Sequence, residues 1–257
     1  MNPLQSFITP LCLFKFSEDK QRALIQRLLG TSFFLGNKGH FMTAKHVMND
    51  ALSISLKKNE FIGLCIKTDN EFKESGASII INWEGAPSPN DIAIGLISES
   101  GLIDTPIHRN DTLINVLQDV HTYGYPLSTS INKNDFWGIG LRSNKGYIQR
   151  IIGDGTLPSE EPPLRYETNF LVGQGMSGSP LLTDNFNLIG ICTGSSRSEI
   201  IEDQIEEINE NGRIYIETKS KIEQHGISES VEPLLNWKAD LFQGKTLQQI
   251  LAKAPKP

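Results

Sequence analysis

The sequence predicts an all-β protein. Short apolar or alternating runs recur along its 257 residues, and clusters of Gly, Pro, Asn and Asp separate them as turn signals. No apolar run approaches the roughly 20 residues of a membrane-spanning helix. All-β proteins of about 250 residues commonly form one unit, so the length requires no second domain and residues 1–257 are read as one.

The elements follow in order. Residues 10–16, apolar apart from Lys15, predict a first strand. Over residues 18–29, Ala23, Leu24, Ile25, Leu28 and Leu29 can share one face of a helix, which Gly30 would end. Residues 30–35 and 40–44 flank the turn Gly36-Asn37-Lys38-Gly39 and predict a hairpin that delivers His46. A strand is predicted over 78–83. The Pro-rich bend at 86–89 then leads to Asp91, after which Ile92, Ile94 and Leu96 alternate. Further strands are predicted over 136–141, 147–152, 165–169 and 188–194. Helices are expected over 231–237 and 246–253, ahead of a frayed Pro255-Lys256-Pro257.

Charge and cysteine usage exclude several functions. A formal net charge of −6 without a Lys/Arg cluster argues against nucleic acid and against an anionic membrane as partners. Cys12, Cys65 and Cys192 are too few and too scattered for a disulfide framework, and are read as reduced thiols. There is no Cys-x-x-Cys pair and no His-Glu-x-x-His helix, so neither a metal nor another cofactor is expected. No Lys or Arg precedes Lys15, and Pro3 and Pro10 interrupt the apolar start, which is unlike a secretory signal. A cytoplasmic location is expected.

Three short blocks carry the chemistry. Gly175-Met176-Ser177-Gly178-Ser179-Pro180 is preceded by Thr43-Ala44-Lys45-His46-Val47 and by Asn90-Asp91-Ile92-Ala93. Singly, each has a plain explanation: a serine in a turn, a core histidine, an aspartate capping a turn. Together they fall in the order His, Asp, Ser, whereas subtilisin-like chains run Asp, His, Ser and α/β-hydrolases run Ser, acid, His. A hydrolase elbow would also need Gly where Ser179 stands. With the glycine-rich strand pair before His46 and with Gly124-Tyr125-Pro126, these blocks resemble the trypsin/chymotrypsin superfamily of serine proteases, and within it the HtrA-like bacterial members.

The resemblance implies two antiparallel six-stranded β-barrels, over about 28–110 and 120–235, and a C-terminal helical tail over about 236–257. It implies a serine endopeptidase acting on polypeptides through an acyl-enzyme, with His46 as general base, Asp91 orienting it and Ser177 as nucleophile. The amides of Gly175 and Ser177 would hold the oxyanion. Leu171, Val172, Gly173 and Gln174, with Cys192, Thr193 and Gly194, would form the specificity pocket. Leu171 stands where trypsin-like enzymes keep an Asp for Lys and Arg, so an uncharged pocket for a medium apolar side chain is implied. Met176 stands where zymogens keep the Asp that pairs with a new N-terminus, which argues against activation by clipping. The strand position that supports the catalytic Asp falls on Cys192, or on Thr193 in a register shifted by one. Intracellular bacterial members often cut a single partner protein, sometimes within antiviral systems, so limited proteolysis is implied. The reading from a different class is a catalytically silent module that holds a peptide or serves as a scaffold.

Residues 199–210 contain six acids and no base. Ile201, Ile205 and Ile208 stand at helical spacing, which predicts either a solvated amphipathic helix or a lid that docks a basic partner segment. His40, His108, His121 and His225 are read as structural or surface residues.

Overall fold

The computed structural model describes residues 3–18, 23–36, 38–67, 75–98, 105–110, 113–129, 131–133, 136–153, 163–208 and 214–252. Strands β1 (Ile8–Phe16), β2 (Ala23–Leu35), β3 (His40–Ala44), β4 (Glu60–Lys67), β5 (Ser75–Gly85) and β6 (Ile92–Ile97) close a barrel in the order β1-β2-β3-β6-β5-β4. Their β-branched and aromatic residues suit a pleated, buried surface, and closure leaves no free edge. Leu11, Phe14, Phe33, Phe41, Met42 and Ile94 fill the interior.

Of the helix expected over 18–29, residues 19–22 lie outside the described residues and 23–29 form the first half of β2 instead. Phe16 pairs with Ala23 and Phe14 with Ile25, with register shifts between Leu11 and Cys12 and between Leu13 and Phe14. Ala23 is buried, Leu24 exposed and Ile25 half-buried, an alternation that satisfies the strand period as well as the helical one. Pairing with β1 decides between the two, because it gives the backbone its hydrogen bonds and Leu28 a place in the core. A helix that the sequence reading did not anticipate, α1 (Lys45–Ser53), follows β3 directly and buries Val47, Met48 and Ala51.

The second barrel is built from β7 (Asp119–Gly124), β10 (Arg142–Ile152), β11 (Arg165–Thr168), β12 (Pro180–Leu182), β13 (Leu188–Ile208) and β14 (Ile214–Ser230), in the order β10-β11-β14-β13-β12-β7. Between β7 and β10, β8 (Ile131–Lys133) and β9 (Phe136–Gly138) form a two-stranded sheet, so the strand expected over 136–141 is cut short at Gly138.

The acidic run is not a helix. β13 continues through it to Ile208 and pairs antiparallel with β14, from Ser196 opposite His225 to Ile208 opposite Ile214, with a register shift between Ile201 and Asp203. The facing strand supplies the cations that the run lacks, and Lys219 lies 3.5 Å from Glu202. Asn209 and Glu210 lie outside the described residues.

One apolar core spans both barrels and the C-terminal segment, joining Phe33 and Phe41 to Tyr125, Leu182, Ile191 and Phe242. The helix expected over 231–237 shrinks to a 3-10 turn at Glu232–Leu234. The one expected over 246–253 is α2 (Leu247–Leu251), started by a reciprocal capping box between Thr246 and Gln249. Among the described residues no helix is long and apolar enough to cross a membrane.

Candidate active site

His46 stands in the first turn of α1, and Asp91 immediately precedes β6. Because Ala44 pairs with Ile92, the β3–β6 ladder brings the two residues side by side. Asp91 grips this turn at three points. Its carbonyl accepts the Lys45 N–H at 3.1 Å. Its Oδ1 accepts the His46 backbone N–H at 2.8 Å, and its Oδ2 lies 2.6 Å from His46 Nδ1. Facing a carboxylate, Nδ1 carries the proton, which leaves Nε2 as an acceptor. The hydrogen bond that His46 donates to Asp91 raises the pKa of His46 against the opposing effect of burial, and the charges of Asp91 and Asp50 add to the rise.

Ser177 is held at the seam between the barrels by β2. The Thr31 N–H donates to Ser177 O at 2.9 Å, and the Thr31 hydroxyl donates to Gly175 O at 2.9 Å. That hydroxyl also accepts the Tyr125 N–H at 2.9 Å, and the Thr31 carbonyl accepts the Thr43 hydroxyl at 2.7 Å. Gly178, at φ +91°, packs so closely that a Cβ would collide with the Thr31 carbonyl and the Thr43 hydroxyl, so only glycine fits beside the serine. Among the described residues the N–H groups of Gly175 and Ser177 meet no protein acceptor, whereas Met176 N–H between them donates to Gly173 O at 3.0 Å. The Ser177 hydroxyl donates to Thr193 O at 3.4 Å and makes no hydrogen bond to His46.

The residues expected to wall a pocket divide into two groups. Leu171 is 43 % exposed, and the Gln174 carbonyl accepts the Leu127 N–H at 2.8 Å. Val172 is buried in a small apolar cluster with Met176 and Cys192, and beyond it Gly173 supplies the carbonyl that Met176 binds. Thr193 and Gly194 line a cleft of about 590 Å³ with Asp91, Arg165 and Glu229. Cys192 does not line it. It is fully buried inside the second barrel, with Sγ 3.4 Å from both Thr122 Oγ1 and Ser228 Oγ, and burial pushes its thiol pKa up.

Neither Cys192 nor Thr193 supports Asp91, since the Thr193 hydroxyl donates to Ile227 O at 3.4 Å. The residue that does is Glu229 of β14, whose Oε2 accepts the Asp91 N–H at 2.9 Å. Sequence reasoning missed it. The available signal was an acid in the strand Ile227-Ser228-Glu229-Ser230, where Ser228 and Ser230 bond into the barrel interior and alternation turns Glu229 outward to the loop of Asp91. The remaining histidines lie elsewhere. His40 Nε2 bonds Leu241 O at 2.9 Å and His108 Nδ1 bonds Pro106 O at 2.9 Å. His121 packs on Tyr123 and Phe186, and His225 lies near Glu223. Among the described residues no three His, Cys, Asp or Glu side chains gather as metal ligands.

The family model of the trypsin-like peptidase domain matches residues 30–191. No curated protein matches the sequence. The fold is similar to neuropsin, a serine protease of the limbic system of mouse brain, at 15 % identity over 92 % of this chain and 94 % of that one, with a TM-score of 0.56. It is also similar to the active form of the Rv3671c protease of M. tuberculosis, at 18 % identity over 99 % and 85 % of the two chains, with a TM-score of 0.52. A serine-to-alanine variant of the HtrA-type protease AlgW with a decapeptide gives 14 % identity over 94 % of this chain and 65 % of that one, with a TM-score of 0.53. At these identities the likeness is one of fold.

Proposed function

Because the chain belongs to the trypsin-like peptidase domain family, we propose that it is a serine endopeptidase in which His46, Asp91 and Ser177 act as a triad. The observation that carries this reading is the 2.6 Å contact between Asp91 Oδ2 and His46 Nδ1, which fixes the tautomer whose Nε2 can take a proton. A serine hydroxyl is a weak nucleophile at neutral pH and needs such a base. The Ser177 hydroxyl would leave Thr193 O by rotation about its Cα–Cβ bond and donate to Nε2. It would then attack the scissile carbonyl to form an acyl-enzyme, and His46 would return the proton to the leaving amine. The unengaged N–H groups of Gly175 and Ser177 would meet the oxyanion. Leu171, Gly173, Gln174, Thr193 and Gly194 would receive the substrate, with Val172 buried behind them. Limited proteolysis of one partner protein in the cytoplasm, within a bacterial antiviral system, is the setting we propose from the HtrA-like blocks of the sequence.

The second reading, a silent peptide-binding module, is favoured by the Ser177 hydroxyl resting on Thr193 O rather than on His46. A fluorophosphonate probe separates the two. Covalent labelling of the wild type and none of Ser177→Ala, with turnover of cleaved peptides reduced by up to about a million-fold, is expected. A folded wild type that neither labels nor cleaves would establish the silent module.

A further inference from the structure

Glu229 is 2 % exposed, and its carboxyl group lies against the backbone of Asp91. Its Oε2 accepts the Asp91 N–H at 2.9 Å, while its Oε1 is buried with no hydrogen-bond partner among the described residues. Register fixes this placement, because Glu229 pairs with Ile191 on β13 and with Arg165 on β11. The charged groups that face it come from three sides: Asp91 before β6, Lys45 at the start of α1, and Arg165 on β11. Arg150 and Glu167 line the same cleft. Neither Lys45 nor Arg165 comes within ion-pair distance of Glu229. The Lys45 ammonium donates instead to Ala86 O at 2.9 Å, and Arg165 Nε is buried without an acceptor among the described residues.

We propose that Glu229 is a positioning residue of the site, acting on His46 through Asp91 and switching with its own ionisation. The inference rests on the triad reading. Ionised, Glu229 turns the Asp91 N–H contact into a charge-assisted hydrogen bond, which anchors the loop that holds His46. It also places a second negative charge behind Asp91, which favours the imidazolium formed when Ser177 gives up its proton. Protonated, it keeps the neutral hydrogen bond and loses the charge. Burial, with the nearby Asp91 charge adding to it, pushes this carboxyl up to about 7, so the change of state falls in the neutral range.

The test compares wild type, Glu229→Gln and Glu229→Ala by peptide cleavage from pH 5 to 9. Gln keeps an acceptor for the Asp91 N–H and removes only the charge. The wild-type to Gln ratio of kcat should rise from near unity below pH 6 to on the order of tenfold above pH 8, the factor of one pKa unit, with KM unchanged. Glu229→Ala should lower kcat across the whole range, because it also orphans the Asp91 N–H. A ratio that stays constant with pH would mean that Glu229 is merely structural and would overturn the proposal. A readout without turnover accompanies this, following the His46 ring protons by NMR on the intact protein. Two titration steps in the wild type and one in Glu229→Gln support the proposal, and superimposed curves refute it. Absent cleavage with two steps would reject the triad reading while retaining the coupling, and cleavage with superimposed curves would do the reverse.

Discussion

In the proposed triad His46 would act as a base only while its imidazole is neutral, and its hydrogen bond to Asp91 raises the pKa at which that state is lost. Cleavage should therefore fall as pH drops through a midpoint above 6.5, the ordinary value of an imidazole, and the acid limb of kcat/KM measures it. The same shift makes the pair a stabilising element of the fold below the unfolded pKa, and that contribution is lost as pH rises through the folded one. Leu171 sets a second expectation. It offers a Lys or Arg side chain no counter-charge and an apolar side chain a contact, so a peptide library should show cleavage at apolar residues. A dominant Lys or Arg preference would show that another acid reaches the pocket. The contact of His46 with Asp91 was legible in the sequence because each sits in a block of recognisable neighbours. Glu229 was not, because a single acid in a strand does not reveal whether it meets solvent or another loop until register is known.

Two elements show how local pattern yields to pairing. In β2, apolar residues compatible with a helix became a strand because β1 offered backbone partners along its length. In β13, the isoleucines of the acidic run also fit a helix, but β14 follows directly and folds back along it, and only that pairing sets its lysines beside the acids. Ile201, Ile205, Ile216 and Ile222 remain exposed there alongside the acids. Exposed ion pairs of this kind contribute only about 0–1 kcal/mol, so the acids are available for other work. Replacing Glu199, Glu202 and Asp203 with Gln should leave short apolar peptides cleaved at the original rate. It should slow cleavage of an unfolded lysine-rich protein, the more so at low salt, where screening over about 8–10 Å is relaxed. Equal rates on both substrates at every ionic strength would reduce the arm to a solvated ribbon.

Across the whole molecule, burial of Glu229 ties stability to pH in a defined direction. Its folded pKa rises from 4.5 to about 7, so the fold favours the neutral form. Its contribution is greatest below the unfolded pKa and declines as pH rises towards 7, after which it stays constant. His46 acts in the same sense, so only a variant separates them. Glu229→Gln removes one of the two declines, and its melting temperature should fall less than that of the wild type between pH 5 and pH 8. A parallel fall in both would place Glu229 in water rather than in the cleft. At this scale the paired barrels were legible through the order of the motifs, whereas the bonds that join them were not, since Thr31 reads in the sequence as one more polar residue between apolar ones.

Thr31 gives the joint a mechanical character. Its amide and hydroxyl reach Ser177, Gly175 and Tyr125, all on the far side of the seam, and its carbonyl holds Thr43 within its own barrel. To part the barrels would strand several buried donors and acceptors at once, each at about 1–3 kcal/mol. The halves should therefore melt in one transition, which calorimetry checks. The serine loop borrows its rigidity from a strand more than a hundred residues earlier in the chain, and the site exists only while both barrels are folded.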